Sequence, residues 1–272
     1  MKFGYILENY DKNLSPENLI QSAQIAEKVG FHSIWTTDHI MQSKKNRLTI
    51  YNNIAEAIST LTFLSGHTTR LMLGISTLVL PIRNTILVAK QLATLDYLTN
   101  GRLIASFGTG WNDKEFQFMD ANFKNRGKRM NEQLQVIRAL WTGESTFNGK
   151  YHDFTDVSFN PRSKVLANSP ILVAGNSKYA LERAIKYGTG WHPSRLEPNE
   201  VKKSIKPYKE ELENRHFEIW IRKRYESDWN FFERIHEYQD AGVTGLVLNI
   251  IEKNFSDILE QMKLIGDKIK RI

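Results

Sequence analysis

The sequence of 272 residues contains no cysteine, and this absence excludes several kinds of chemistry. Without cysteine the chain can form no disulfide bond, no thiol nucleophile and no cysteine-ligated zinc site. The histidines outside the candidate site described below show no metal-ligand spacing, so we predict no bound metal. A chain without cysteine also fits a reducing compartment.

Long apolar runs are also missing from the sequence. No window of about 18 apolar residues is available to span a membrane, and the first residues show no signal-peptide pattern. We therefore expect a cytoplasmic protein without a membrane partner. Hydrophobic residues nevertheless make up 41% of the chain, which is enough for a large core.

The basic residues are not concentrated in one stripe. The net charge is +7, but lysine and arginine are spread through mixed Lys/Glu segments such as residues 202–214 and 263–271. Because no basic stripe with interleaved aromatic residues is present, we predict no nucleic-acid partner. A mild positive field would still favour the capture of an anionic ligand.

What the chain does contain is an alternation of buried strands and helices, and residues 170–193 show it most clearly. Residues 171–174 form an apolar run, and Gly175, Asn176 and Ser177 follow as a turn. A helical pattern and a short strand complete the unit. The unpaired N–H groups at the start of such a helix commonly face an anion, although an ordinary turn without a ligand is the open alternative.

Eight strands are predicted in this way, and most are followed by a helix. They cover residues 2–7, 31–36, 71–80, 102–107, 171–174, 190–192, 216–221 and 245–250. Because these strands are continuous apolar runs, we expect them to be parallel and buried on both faces. The prediction is an α/β fold, a single (β/α)8 TIM-barrel domain over residues 1–272. The alternative, an open doubly wound sheet, would need a G-x-G-x-x-G motif after the first strand, where Gly4 stands alone.

Three segments of the second half carry further predictions. Residues 144–154 contain Asn148-Gly149 between two short β-prone segments, which predicts a β-hairpin insertion with a type I′ turn. The Lys/Glu-rich residues 198–214 predict one long helix, and residues 228–240 predict another.

In a barrel of this kind, ligands bind at the carboxyl ends of the strands. The residues at these ends therefore form the candidate site. They are Asp38 and His39 after the second strand, Ser76 and Thr77 within the third, Thr109, Gly110 and Trp111 after the fourth, Ala174, Gly175, Asn176 and Ser177 at the fifth, and His192 after the sixth. Glycines, aromatic side chains and free N–H groups together suit a flat cofactor that carries a phosphate.

Several ordered motifs of the sequence resemble one known family. They are HSIWTTDH at residues 32–39, GISTLVLP at 74–81, AKQLATLD at 89–96, NGRL at 100–103, GTGW at 108–111, EQLQVIRALW at 132–141 and the unit at 170–193. Together they resemble the luciferase-like flavin and deazaflavin enzymes, from the first strand to about residue 193. The resemblance is closest to the coenzyme F420-dependent branch, and the FMN-dependent monooxygenase branch shares many of the motifs.

The resemblance implies an oxidoreductase that binds coenzyme F420 and moves a hydride between the deazaflavin and a small organic substrate. Two alternatives remain open. One is an FMN-dependent monooxygenase that uses O2, and the other is a barrel that binds a flavin-like ligand without turnover. The resemblance also implies a homodimer.

The resemblance further implies roles for the first half of the candidate site. His39 would lie near the reactive part of the ring as proton donor or base, and Asp38 would orient or bond the ring edge. Ser76-Thr77 matches a position where the family often has a non-proline cis peptide, and an ordinary trans strand is the open alternative.

The remaining candidates are expected around the rest of the cofactor. Thr109 and Gly110 would approach it, with Trp111 as a wall of the pocket, and a Trp111 in the core is the alternative. The backbone N–H groups of residues 174–177 would hold its phosphate. His192 is interpreted as structural or pocket-lining rather than catalytic.

Overall fold

The structure is a computed structural model that describes residues 1–43, 49–163, 165–225 and 232–271. Short buried strands alternate with helices along the chain. The strands are β1 (Lys2–Ile6), β2 (Ser33–Thr36), β3 (Met72–Ile75), β4 (Leu78–Val79), β5 (Leu103–Gly108), β6 (Phe147–Asn148), β7 (Asp153–Phe154), β8 (Ile171–Ala174), β9 (Gly190–His192), β10 (Glu218–Tyr225) and β11 (Gly245–Ile250).

The parallel strands close into a barrel. Their order runs β1, β2, β3, β5, β8, β9, β10 and β11, and β11 pairs again with β1, while β4 continues β3 along β5. Gly4 of β1 pairs with Ser33 on one side and with Val247 on the other. This closed circle confirms the predicted TIM barrel.

Helices surround the barrel. They are α1 (Pro16–Val29), α2 (Ala57–Ser65), α3 (Thr85–Leu98), α4 (Asp113–Phe118), α5 (Arg126–Thr142), α6 (Lys178–Tyr187), α7 (Pro198–Ile205), α8 (Lys209–Glu213), α9 (Ile235–Asp240) and α10 (Phe255–Ile269). Local signals explain their ends. The Ser15 hydroxyl accepts the Asn18 N–H at the start of α1, and Gly30 ends this helix at a φ of 100°. Within the described ranges, no helix combines the length and apolarity that crossing a membrane requires.

A small cluster of buried hydrophobic side chains, which includes Trp35 and Trp220, fills the barrel interior. Glycines make room for these two indoles. A Cβ atom on Gly74 would lie 2.4 Å from the Trp35 ring, and one on Gly245 would lie 2.3 Å from the Trp220 ring. The interior is therefore a packed core, and a ligand can enter only at the ends of the strands.

The third predicted strand is not continuous. It breaks into β3 and β4 at a cis peptide between Ser76 and Thr77, and a 3-10 turn, Leu80–Ile82, follows. The prediction of an uninterrupted strand over residues 71–80 was therefore wrong. The non-proline cis peptide, rather than the trans alternative, is present.

The predicted helix over residues 198–214 is also interrupted. Pro207 lies in a 3-10 turn, Lys206–Tyr208, that separates α7 from α8. Proline has no N–H for the helical hydrogen bond and its ring collides with the preceding turn, which explains the break. Of the helix expected at 228–240, α9 is observed, and residues 226–231 lie outside the described part of the chain.

The insertion at residues 144–154 is a hairpin, but its turn is not type I′. Phe147 pairs with Phe154 and Asn148 pairs with Asp153, so the connection is longer than the two residues of a type I′ turn. The carboxylate of Glu132, on α5, accepts the N–H groups of Lys150 and Tyr151. This contact joins the wider loop to a neighbouring helix.

Candidate active site

A cavity of about 680 Å³ opens at the carboxyl ends of the barrel strands. Most of the predicted site residues line it, although they come from distant parts of the sequence. These are Asp38, His39, Ser76, Thr77, Thr109, Gly110, Trp111, Ala174 and Gly175. The predicted convergence on one end of the barrel is therefore present, and the volume is in the range of cofactor pockets.

Asn176 and Ser177 are not among the lining residues. The Asn176 side chain forms two hydrogen bonds of 2.8 Å with the backbone of Ser194. The Ser177 hydroxyl caps α6 by accepting the Ala180 N–H at 3.2 Å. Both side chains shape the turn, so a ligand at this point would meet the backbone and not these side chains.

The mouth of the cavity, which we define as His39, Glu115, Tyr51 and Trp111, contains a buried acid–base pair. His39 Nδ1 lies 3.0 Å from a carboxylate oxygen of Glu115, and the other oxygen accepts the Ile40 N–H at 2.6 Å. Because an ionised carboxylate only accepts, Nδ1 carries the hydrogen and Nε2 is left for proton exchange. Glu115 is 1% exposed, so water does not compete for this contact.

Sequence analysis missed the role of Glu115 because it did not predict α4, the short helix on which this residue lies. Asn112 caps α4 by accepting the Lys114 N–H at 3.2 Å, and the next residue after Glu115, Phe116, is also buried. The signal was present as an Asn cap followed by acidic residues. A six-residue helix is too short to show a periodic pattern.

Aromatic side chains surround the imidazole at the mouth. The Tyr51 ring lies 4.8 Å from the His39 ring, and the Trp111 ring lies edge-on at 5.9 Å. Tyr10 continues this wall, 5.2 Å from Tyr51. Trp111 is 56% exposed, so it borders the opening and is not a core residue.

Asp38 supports the loop that carries His39. One carboxylate oxygen accepts the Val79 N–H at 2.8 Å, and the other contacts Arg83 at 2.7 Å. Burial raises the pKa of Asp38, and the Arg83 charge and the Val79 hydrogen bond oppose this rise. Both oxygens are already engaged, and this geometry favours a positioning residue over a direct contact with a ring edge.

The floor of the cavity, which we define as Ser76, His192 and Arg222, carries a second histidine. Its Nε2 lies 2.8 Å from the Ser76 hydroxyl, and its Nδ1 lies 2.7 Å from the Trp220 carbonyl oxygen. Burial lowers the pKa of His192 to about 4. The neutral ring therefore donates from Nδ1 and accepts the Ser76 hydroxyl hydrogen at Nε2, which agrees with a structural, pocket-lining residue.

Arg222 completes the floor and was also missed by sequence analysis. Its guanidinium donates to the Ser76 carbonyl oxygen at 2.7 Å and to the Thr37 hydroxyl at 3.3 Å. The predicted strand ended at residue 221, because the following Arg-Lys-Arg run breaks the apolar pattern. The observed strand β10 continues to Tyr225.

Close packing shapes the wall between the floor and the mouth. A Cβ atom on Gly108 would lie 2.8 Å from the Thr77 methyl group, and Gly110 has a φ of 75° that favours glycine. The Thr77 hydroxyl lies 3.3 Å from the Ser106 hydroxyl. Beyond them Gly175, at a φ of 125°, turns the chain towards α6. A flat ring with a phosphate tail fits the resulting wall, which has small residues on one side and a helix start beyond it.

Curated proteins of two cofactor classes are similar to the chain. The flavin-dependent trigonelline monooxygenase, oxygenase component, of Acinetobacter baylyi is 29% identical over 69% of this chain and 51% of that protein. The F420-dependent glucose-6-phosphate dehydrogenase of Amycolatopsis mediterranei is 27% identical over 70% of this chain and 56% of that protein. The chain thus matches about half the length of these relatives.

Solved structures share the fold along the whole chain. The monooxygenase RslO1 from Streptomyces bottropensis has a TM-score of 0.82 at 20% identity, and the match covers 100% of this chain and 99% of that one. An F420-dependent secondary alcohol dehydrogenase, solved with an F420-acetone adduct, has a TM-score of 0.82 at 17% identity and covers 98% and 97% of the two chains. The sequence model described as luciferase-like monooxygenase matches residues 1–221. The chain therefore belongs to the luciferase-like monooxygenase family, as its motifs indicated.

Proposed function

We propose that the chain is an oxidoreductase of one domain that binds coenzyme F420 and transfers a hydride between the deazaflavin and a small organic substrate. The observation that carries this proposal is the buried Glu115–His39 pair at the mouth of a cavity large enough for the cofactor. F420-dependent dehydrogenases among the relatives support it.

Two parts of the site support this proposal. The Ser76-Thr77 peptide and the chain from Gly108 to Gly110 form the wall that a ring would contact. Ala174 and Gly175, with the start of α6, would hold a phosphate through backbone N–H groups. When bound, the cofactor supplies the carbon that accepts or gives the hydride.

His39 would handle the proton that accompanies the hydride. Its Nε2 accepts a proton when an alcohol is oxidised and returns it when a carbonyl is reduced. Glu115 fixes the tautomer and the direction of the ring, and its charge compensates the imidazolium that forms. Asp38 and Arg83 hold the loop in place while this happens.

Spectroscopy of the purified protein tests the proposed cofactor. Titration with F420 and with FMN should give saturable binding of F420, with the deazaflavin absorption band and no flavin spectrum. The His39→Ala variant should still bind F420. Loss of turnover with this binding intact would argue against a barrel that binds its ligand without turnover. Turnover by the variant at the full rate would instead remove His39 as the proton donor or base.

An FMN-dependent monooxygenase that uses O2 is the second candidate. The match to the trigonelline monooxygenase component supports it, because its identity is comparable to that of the F420-dependent relatives. A yellow protein that NAD(P)H reduces, and that consumes O2, would favour this candidate over F420.

We also propose that the chain forms a homodimer. Helix α3 exposes large apolar side chains, which include Ile86, Leu87 and Leu98. Sedimentation of the purified protein at micromolar concentration tests this, because a monomer mass would reject the dimer.

A further inference from the structure

Arg222 carries a positive charge on the cavity floor and forms no ion pair with an acidic side chain of the described residues, although the carboxylates of Glu8, Asp11 and Glu252 line the same cavity. Its two hydrogen bonds go to the Ser76 carbonyl oxygen and the Thr37 hydroxyl, which are neutral acceptors. Other cations near the barrel end are paired differently. Arg83 contacts the carboxylates of both Asp38 and Glu56.

The groups in contact with Arg222 offer its charge no opposite charge. The side chain is half-buried, and the neighbouring His192 is neutral and has no charge to offer. A half-buried guanidinium loses part of its hydration, and an anionic ligand would supply the charge compensation that its two neutral acceptors do not. The same charge opposes the effect of burial on Tyr10, where burial still raises the pKa to about 12.

The guanidinium is also held in place before any ligand arrives. Thr37 follows β2 and Ser76 follows β3, so two separate strand ends fix its position. A guanidinium presents several N–H donors in a rigid fork, and these two bonds leave donors for a further acceptor. Carboxylate and phosphate groups match this fork with paired hydrogen bonds.

Arg222 lines the same cavity as His39. The Tyr10 ring lies next to Tyr51 of the mouth, and its hydroxyl lies 3.4 Å from the Asn249 side chain on β11. A small organic molecule would meet apolar rings along its body and a cation at one end. We infer that Arg222 is the specificity residue for a substrate that carries a carboxylate or phosphate group. This inference rests on the proposed function and names the substrate class for the same site.

Equilibrium binding with charged and neutral probes tests the inference without turnover. The probes are benzoate against benzamide, and phenyl phosphate against phenol, measured by calorimetry on the protein with and without its cofactor. We expect the wild type to prefer at least one of the two anions by about 10-fold to 100-fold over its neutral counterpart. Arg222→Gln should abolish this preference, and Arg222→Lys should retain part of it as a point charge.

Arg224→Gln is the matched control, because Arg224 lies on the same strand and lines the cavity at its exposed edge. It should leave the preference within about threefold of wild type, since an exposed charge is screened by solvent. The ratio between an anion and its neutral counterpart also separates specificity from misfolding, because a damaged pocket weakens both probes together.

Several outcomes would overturn the inference. These are a preference that survives in Arg222→Gln, an equal loss in Arg224→Gln, and the absence of saturable binding by both anions. A lowered affinity for F420 or FMN in Arg222→Gln, with the anion preference intact, would assign Arg222 to the cofactor instead. Failure of the proposed function is distinguishable, because the protein would then bind neither cofactor while the anion preference persists.

Discussion

The mouth and the floor of the cavity hold their histidines in opposite ways. At the mouth, the Glu115 carboxylate accepts the hydrogen on Nδ1 of His39. On the floor, His192 lies between the Ser76 hydroxyl and a backbone carbonyl oxygen, and burial lowers its pKa to about 4. One residue type therefore serves two purposes at the same cavity.

The hydrogen-bond partners of the two histidines explain why their surroundings treat a proton on the ring differently. A carboxylate compensates a proton that the imidazole gains, whereas a buried carbonyl and hydroxyl do not compensate the loss of hydration. The charge of Arg222 further disfavours a proton on His192. The comparison agrees with the proposal that proton exchange takes place at the mouth, and that the floor provides shape and, through Arg222, charge.

The largest expected effect is on turnover in His39→Ala. We expect kcat to fall by about 10²-fold to 10⁴-fold, because the variant loses its proton donor and acceptor. Cofactor affinity should change by less than about threefold, since the substituted ring lies at the mouth and the proposed phosphate contacts, at Ala174 and Gly175, are elsewhere. Steady-state kinetics and a cofactor titration of the same preparation measure both quantities, and an unchanged kcat would end the assignment of proton transfer to the mouth.

His192, the floor histidine, should instead affect how the free energy of unfolding depends on pH. Its pKa is lowered from 6.5 to about 4 in the folded state, so the unfolded chain binds a proton first as the pH falls. The free energy of unfolding should therefore decrease from pH 6.5 towards pH 4, by about 3 kcal/mol for this group. Urea unfolding at a series of pH values measures the slope.

His192→Gln should remove this part of the slope, and His67→Gln is the matched control because His67 is exposed. An unchanged slope in His192→Gln would show that the floor histidine does not stay neutral. His32, whose pKa burial also lowers to about 4, should contribute equally in the wild type and in both variants. Carboxylates with lowered pKa values, such as Glu27 and Glu218, lose their stabilising contribution only as the pH falls below 4.5, which separates the two effects.

Local signals made much of the barrel and part of the site predictable from the sequence. A buried parallel strand is a continuous apolar run, and helix ends are marked by residues such as Ser15 and Gly30. Ligands of such barrels bind at the strand ends, so a list of strand ends already contained His39, Thr109 and Gly175. Each of these inferences needs only residues that are close together in the chain.

The features that sequence analysis missed depend on contacts between distant residues. Glu115 meets His39 across 76 positions, and Arg222 meets Ser76 across 146 positions. The hairpin turn likewise departs from type I′, and its backbone binds Glu132, which lies on α5. No local pattern indicates such pairs. Because the charged residues 222–224 break the apolar pattern, the predicted strand ended one residue before Arg222.

A smaller effect should follow from removing the partner of the mouth histidine. In Glu115→Gln we expect kcat to fall by about 10-fold to 100-fold, because the amide does not compensate an imidazolium. Glu252→Gln is the matched control, since Glu252 is another carboxylate at the same cavity. The pH profile of kcat should change shape only in Glu115→Gln, and identical profiles in both variants would make Glu115 a purely structural residue.

The smallest expected effect concerns Trp111, the exposed ring of the mouth, in contrast to Trp35, which is fully buried in the barrel interior. Trp111→Ala should change the free energy of unfolding by less than about 1 kcal/mol, because a ring that is 56% exposed leaves little cavity behind. Cofactor affinity should weaken by about threefold to tenfold through the lost wall, and Trp111→Phe should restore most of it. Thermal unfolding and cofactor titration check the two quantities. A decrease of about 3–5 kcal/mol in the free energy of unfolding, the size expected for a core tryptophan, would contradict this prediction. Trp111 would then belong to the core and not to the mouth.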